Sequence, residues 1–439
     1  MKRRTILKGL VAGTAATVTG FRIPLVQASD YNGKLFVFVQ ADGGWDPTSF
    51  CDPKTNTPGE RVINHWAEEN EIQQAGNIPY APFANNEAFF EKYHDRMLVI
   101  NGVDAQTNSH TVGVVHNWSG RNSEGYPSAS AVLAAHYGNE LPISYLSFGG
   151  FSDTGGLVRY TRLNNPDLLR NIARPWRSRD GSDRRYLADH EWHALSERQA
   201  ADIEQLVAVE NRLEAELRNR MFYGSAMASV DALADYADAI PSRSELEPRE
   251  RSGVIAGSGN EYRSDLRRQV QLTVLAFKSG VSVSADLRLG GFDTHASHDP
   301  DHEWLLGNLT DSVDYLWDYA EEHGVADRLV VVMGSDFGRT NFYNAQEGKD
   351  HWPIGSFVVM EKNQSWADRA VGVTDELHFA QKVNPETLEQ DDEHGTIIYP
   401  KHVHKALRNY LGVGETEGSQ RYPFNGTEDF AFFASASTD

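Results

Sequence analysis

The sequence predicts an α/β fold, a largely parallel sheet carrying helices on both faces. Two observations lead there. Five short runs rich in β-branched and aromatic residues recur along the chain, with helical patterns between them. One stretch, 281–334, reads strand, loop, amphipathic helix, strand, which is the crossover unit that joins parallel strands.

The runs are "KLFVFVQ" (34–40), "MLVIN" (97–101), "VSVSADLRL" (281–289), "RLVVVMG" (328–334) and "SFVVM" (356–360). Apolar residues on successive positions suit strands covered on both faces. In the crossover, Asp299 is expected to cap the helix, with Pro300 as its first residue and Gly324 closing it. Residues 189–240 are almost continuously helical in pattern, with Leu206, Val209, Leu213 and Leu217 on one stripe. A polar linker over 241–264 follows, then a helix near 263–279. We read 160–260 as a helical insertion or cap on one domain of residues 29–439.

The N-terminus reads as an export signal. "KRRTILKG" sets paired arginines before a mildly apolar stretch, and "VQA" at 26–28 offers small residues for cleavage. Residues 1–28 are therefore expected to be a twin-arginine signal, which implies the twin-arginine translocase as a partner and a periplasmic or secreted bacterial protein. Their apolar run is too short for a stable membrane span. The chain carries 41 Lys+Arg against 62 Asp+Glu, which argues against nucleic acid and anionic membrane surfaces as partners. A single cysteine, Cys51, excludes an intrachain disulfide and an iron–sulfur cluster held by four thiolates. No C-x-x-C-H haem site is present.

Ligands of open parallel sheets bind beyond the carboxyl ends of the strands. Asp42 and Asp46 follow the first run, and Ser109, His110 and His116 follow the second. Asp293, His295 and His298 follow the third, while Asp336 and Arg339 follow the fourth. "KDHW", with His351, precedes the fifth. Asp and His without Cys fit zinc, manganese or another divalent ion, which polarises a phosphoryl or sulfuryl oxygen. Ser109, just before a helical pattern, is placed to be a nucleophile activated by such an ion, and Arg339 to clamp an oxyanion.

"GGWD", "NSH", "GGFDTH", "SDFGRT" and "KDHW", in this order behind the twin-arginine pattern, resemble the family known as domain of unknown function fifteen-oh-one. That family is similar to a distant branch of the alkaline phosphatase and sulfatase superfamily. The resemblance runs over roughly 30–412 and implies a three-layer α/β/α sandwich. It further implies Asp42 or Asp46 as the first-strand carboxylate and Ser109 as nucleophile. Asp293 with His295 or His298, Asp336 and His351 become the remaining ligands of a divalent metal ion (zinc, manganese or calcium). The sequence departs from the superfamily where Phe337 replaces the His expected after Asp336 and Ser297 the His four residues after Asp293. Both departures weaken a second metal site. "CDPKT" at 51–55 lacks the Arg of the formylglycine motif.

Plainer roles exist for several of these residues. Asp42 can shape a turn, Asp46 can cap the segment after Pro47, and His110 and His116 can be ordinary helix residues. His302, His402 and His404 are expected on solvated helix faces. Trp45, Trp118 and Trp352 are expected to fill the core rather than line a cleft. The leading functional expectation is an exported metal-dependent hydrolase acting on a small anionic phosphate or sulfate ester. The alternative is a catalytically degenerate binding or assembly protein whose partner is another exported protein.

Overall fold

The computed structural model describes residues 31–163 and 265–435 throughout, together with parts of the intervening stretch, chiefly 185–207, 229–242, 252–254 and 261–263. The expected signal at 1–28 lies outside the described residues, as do Val209, Leu213, Leu217 and the side chain of Leu206.

Eight strands form the central sheet: β1 (Leu35–Asp42), β2 (Met97–Asp104), β3 (Tyr145–Ser147), β4 (Tyr160–Arg162), β5 (Ser284–Gly290), β6 (Leu329–Ser335), β7 (Ile354–Glu361) and β8 (Arg369–Val371), in the order β8-β2-β7-β6-β1-β5-β3-β4. All five expected runs are strands. β1 lies between β5 and β6, parallel to both, with Phe36 opposite Ser284 and Leu35 opposite Leu329. β7 alone runs against its neighbours, antiparallel to β6 and to β2.

The alternation of side chains along the strands splits the core in two. Val37, Val39, Leu287, Val331 and Met333 pack into one apolar cluster. Phe36, Phe38, Ile100, Val330 and Val332 pack into the other. Helices α1 (Asn86–Tyr93), α6 (Leu266–Lys278) and α7 (His298–Glu322) supply Phe90, Val274 and Leu309 to the first cluster. Helices α2 (His110–Ser119), α3 (Ala129–Tyr137) and α8 (Pro400–Tyr410) supply Trp118, Val132 and Val403 to the second. This is the three-layer α/β/α sandwich with a mainly parallel sheet.

In the middle region, α4 (Asp189–Val207) and α5 (Val230–Ala239) are helical as expected. The polar linker also holds a short antiparallel pair, Ser252–Val254 with Glu261–Arg263, which its composition did not signal. Among the described residues no helix is long and apolar enough to cross a membrane.

Three local expectations are corrected. α7 begins two residues earlier than its acids suggested, with Ser297 in the left-handed region as its cap. Asp299 lies in the first turn, where its carboxylate takes His65 Nδ1 at 2.8 Å and the Tyr343 hydroxyl at 2.7 Å. His302, His402 and His404 are buried, not solvated. Trp45 and Trp118 are core residues as expected, whereas Trp352 is half-buried and donates to the His378 carbonyl at 3.0 Å.

Candidate metal centre

The residues gathered at the carboxyl edge of the sheet form two clusters with a buried arginine between them. The outer cluster is built on Asp293, in the loop after β5. Its Oδ1 lies 2.9 Å from His295 Nε2, 3.0 Å from His351 Nε2 and 3.3 Å from His110 Nε2. His295 Nε2 and His351 Nε2 are 3.0 Å apart. The ligand atoms of His110, Asp293 and His351 all lie within 4.8 Å of one another.

The other nitrogen of each ring fixes what these atoms can do. His110 Nδ1 meets Asp336 Oδ2 at 2.5 Å, His295 Nδ1 meets Asp350 Oδ1 at 2.6 Å, and His351 Nδ1 meets the Asn108 carbonyl at 2.7 Å. A carboxylate or carbonyl oxygen only accepts, so each Nδ1 carries a hydrogen, and each ring, when it holds no second proton, turns a lone pair at Nε2 toward Asp293. Three such nitrogens and an anionic oxygen converging on one point gather around a cation, either a metal ion or protons on the rings. Imidazoles oriented through carboxylates or a carbonyl are the ordinary support of a metal site. Donors about 2.0–2.1 Å from a tetrahedral ion stand roughly 3.3 Å from each other, close to the separations seen. His110 Nε2 is buried and faces Asp293 Oδ1 at 3.3 Å. The donor set therefore fits a divalent ion of the zinc or manganese type.

Protons are the competing cations. Hydrogen bonds to Asp293 and then Asp336 raise the His110 pKa to about 9, against the opposing effect of burial. Burial disfavours ionised Asp293, but hydrogen bonds from His110 and Arg339 outweigh it and hold the carboxyl well below the usual range.

The inner cluster surrounds Asp46. Asp46, Lys349 and His298 have side chains with 0% exposure. Lys349 Nζ donates to Asp46 Oδ2 at 2.7 Å, Asn64 Oδ1 at 2.9 Å and Thr48 Oγ1 at 3.3 Å, which uses all three of its hydrogens. His298 donates from Nε2 to Asp46 at 3.2 Å and takes the Thr294 hydroxyl at Nδ1, while His302 Nε2 accepts the Asp46 amide. Burial opposes the charge on Asp46, yet Lys349 keeps its pKa well below the ordinary value. An ammonium thus supplies the positive charge that balances Asp46.

Of the expected site residues, Asp293, His295 and His351 come together, and Ser109 is next to His110. The others lie elsewhere. Asp42 turns away to Arg288, whose Nε donates to it. Asp46 and His298 belong to the inner cluster and meet Lys349. Asp336 supports the site from behind: Oδ1 accepts the Gly43 and Gly44 amides at 2.8 Å each, and Oδ2 holds His110. Arg339, expected to clamp an oxyanion, is fully buried. Its Nε donates to the Gly44 carbonyl, Nη1 to the Lys349 carbonyl, and Nη2 to the Gly43 carbonyl and Asp293. Ser109 is exposed at the cap of α2, with no side-chain capping bond.

The expected catalytic and metal residues left out His110, Lys349 and Asp350. His110 stands inside the "NSH" motif at the start of a helix, a signal that its plainer reading as a helix residue hid. Gly43 permits the close approach of the first loop. With φ at +115°, a Cβ there would stand 2.5 Å from the Asp293 amide.

Phe337 stands where the resemblance led us to expect His. Its buried ring packs on His110 and His351, with centroids 4.7 and 4.9 Å away.

Solved structures similar to this one include a Bacteroides thetaiotaomicron protein of glycosaminoglycan metabolism (8% identity, 91% of this chain and 76% of that one, TM-score 0.40). Another is a phosphonate monoester hydrolase of Agrobacterium radiobacter (12%, 86% and 74%, TM-score 0.33). A third is a variant of TAB5 alkaline phosphatase with magnesium bound (9%, 74% and 91%, TM-score 0.30). At these scores none of the likenesses assigns a reaction to this chain. No curated protein matches the sequence. A family model matches residues 33–407, and the chain belongs to that family, described as "Protein of unknown function (DUF1501)".

Proposed function

We propose that this chain is an exported, metal-dependent hydrolase of phosphate or sulfate esters, with its ion held by His110, Asp293 and His351 and with His295 beside them. The observation that carries the reading is the convergence of three imidazole Nε2 atoms on one carboxylate oxygen. A divalent ion held there supplies Lewis acidity toward a phosphoryl or sulfuryl oxygen.

The protein's own residues prepare the rest. Asp336, Asp350 and the Asn108 carbonyl hold the three Nδ1 hydrogens, so the rings keep one orientation without reorganising during reaction. Arg339 braces Asp293 from within, at 2.8 Å. Ser109 is the nucleophile in this reading, since its hydroxyl is exposed and unused by the helix it caps. Lys349 makes the site a one-ion centre, because Asp46 is already neutralised.

Elemental analysis of purified protein and turnover of aryl phosphates and sulfates with added zinc, manganese or calcium test this reading. Bound metal and turnover that both disappear in His351→Ala are expected. Metal-free protein inert toward every ester with every ion would falsify it. A binding or assembly role is the second reading, favoured by Phe337 and by the ammonium at Asp46. It calls for co-purification with another exported protein and no esterase activity.

A further inference from the structure

Arg288 stands at the end of β5 with a side chain 49% exposed, yet it is held on several sides. Its Nε donates to Asp42 Oδ2. Gln269 clasps its backbone, accepting the Arg288 amide at 2.8 Å and donating to the carbonyl at 3.0 Å. Gly149, at φ +138°, lets the loop after β3 lie along the arginine's stem, where a Cβ would come within 2.7 Å of Cδ.

The two terminal nitrogens, by contrast, make no hydrogen bond to any described residue. A guanidinium anchored by its inner nitrogen and open at its outer pair is a preorganised fork for a carboxylate, sulfate or phosphate. The other cations at this edge, Arg339 and Lys349, are fully buried and bonded to the protein. β5 and β6 flank β1, so the strand that carries Arg288 lies two strand spacings, about 10 Å, from the strand that leads into Asp336.

We propose that Arg288 recognises a second anionic group, so that the site takes esters carrying one further carboxylate, sulfate or phosphate besides the reacting group. This assignment of substrate class rests on the hydrolase reading.

Two variants separate the effects: Arg288→Lys keeps a cation on Asp42 but removes the fork, and Arg288→Gln removes both. The first measurement is the kcat/KM ratio for 4-carboxyphenyl phosphate over phenyl phosphate. It is expected to fall at least tenfold in both variants, through KM. The second is calorimetric titration of EDTA-treated protein with sulfate, with folding checked by thermal melting. A loss of affinity of tenfold or more in both variants is expected. Wild-type protein that binds no sulfate, or binds it no better than Arg288→Lys, overturns the assignment. If the wild type holds no metal and hydrolyses neither ester, the hydrolase reading fails, and the sulfate titration still decides the role of Arg288.

Discussion

His295 and His351 point their Nε2 atoms at each other across 3.0 Å, although the Nδ1 hydrogen of each ring is already given to an oxygen. Neutral rings in this arrangement oppose lone pair to lone pair, and a shared cation relieves the opposition. Replacing either ring by alanine is therefore expected to lower zinc affinity by 100-fold or more, beyond the 10–100-fold typical of outer-shell changes. Competition with a chromophoric chelator measures it. Unchanged affinity in both variants would refute a metal centre at this point.

Asp336→Asn tests the supporting layer. The variant keeps one oxygen for the Gly43 and Gly44 amides but turns an NH2 toward His110 Nδ1, which carries a hydrogen. The ring must then change tautomer or move. A 10–100-fold loss of metal affinity is expected with the fold retained, read by the same chelator competition and by circular dichroism.

Lys349→Met leaves Asp46 charged, buried and without its cation. Breaking a buried pair from one side costs about 3–5 kcal/mol. Combining it with Asp46→Asn is expected to restore most of that loss, because no lone charge then remains. Urea unfolding of the single and double variants forms the cycle that measures the coupling. Equal losses in Lys349→Met and in the pair would show that packing, not charge, is at stake.

Acid should unfold this protein through its histidines. Burial depresses the pKa of His404 to about 3 and that of His402 to about 4. Both are neutral in the fold yet charge in the unfolded chain near 6.5. Their contribution is complete above about 6.5 and lost as pH falls toward the folded values. For His404 the loss by pH 5 is about 2 kcal/mol. His404→Gln can keep the bond to the Asn117 carbonyl without titrating. Its stability, measured by urea titration at pH 7 and pH 5, is expected to fall by about 2 kcal/mol less than that of the wild type.

Gly43→Ala places a Cβ against the Asp293 amide in a backbone region that alanine resists. Destabilisation by about 1–3 kcal/mol, together with weakened metal binding, is expected from melting curves and chelator competition. An undisturbed site would mean that the first loop has room to shift.

The strands were legible because short, unbroken apolar runs suit little besides a strand covered on both faces, and the gathering of acids and imidazoles followed from where the strands end. The division of labour among those residues was not legible. Spacing cannot tell Asp336, whose oxygens are spent on amides and His110, from Asp293, whose Oδ1 faces three rings. Nor does it show that Lys349 comes back across the chain to Asp46. The buried histidines did carry a signal. His298, His302, Leu305 and Leu309 follow the three- and four-residue spacing of one helix face, as do His404, Leu407 and Leu411. The polarity of the imidazoles masks that period.

β7 is the single reversed strand, so it starts where its neighbours finish. The segment between Arg339 and Ile354 is thereby pinned at both ends to the same rim, and it delivers Lys349, Asp350 and His351 as one piece. Most surface connections tolerate insertions and deletions, but this one behaves like a buckle. Adding or deleting residues near 344–348 would carry an ammonium, a carboxylate and an imidazole out of alignment together.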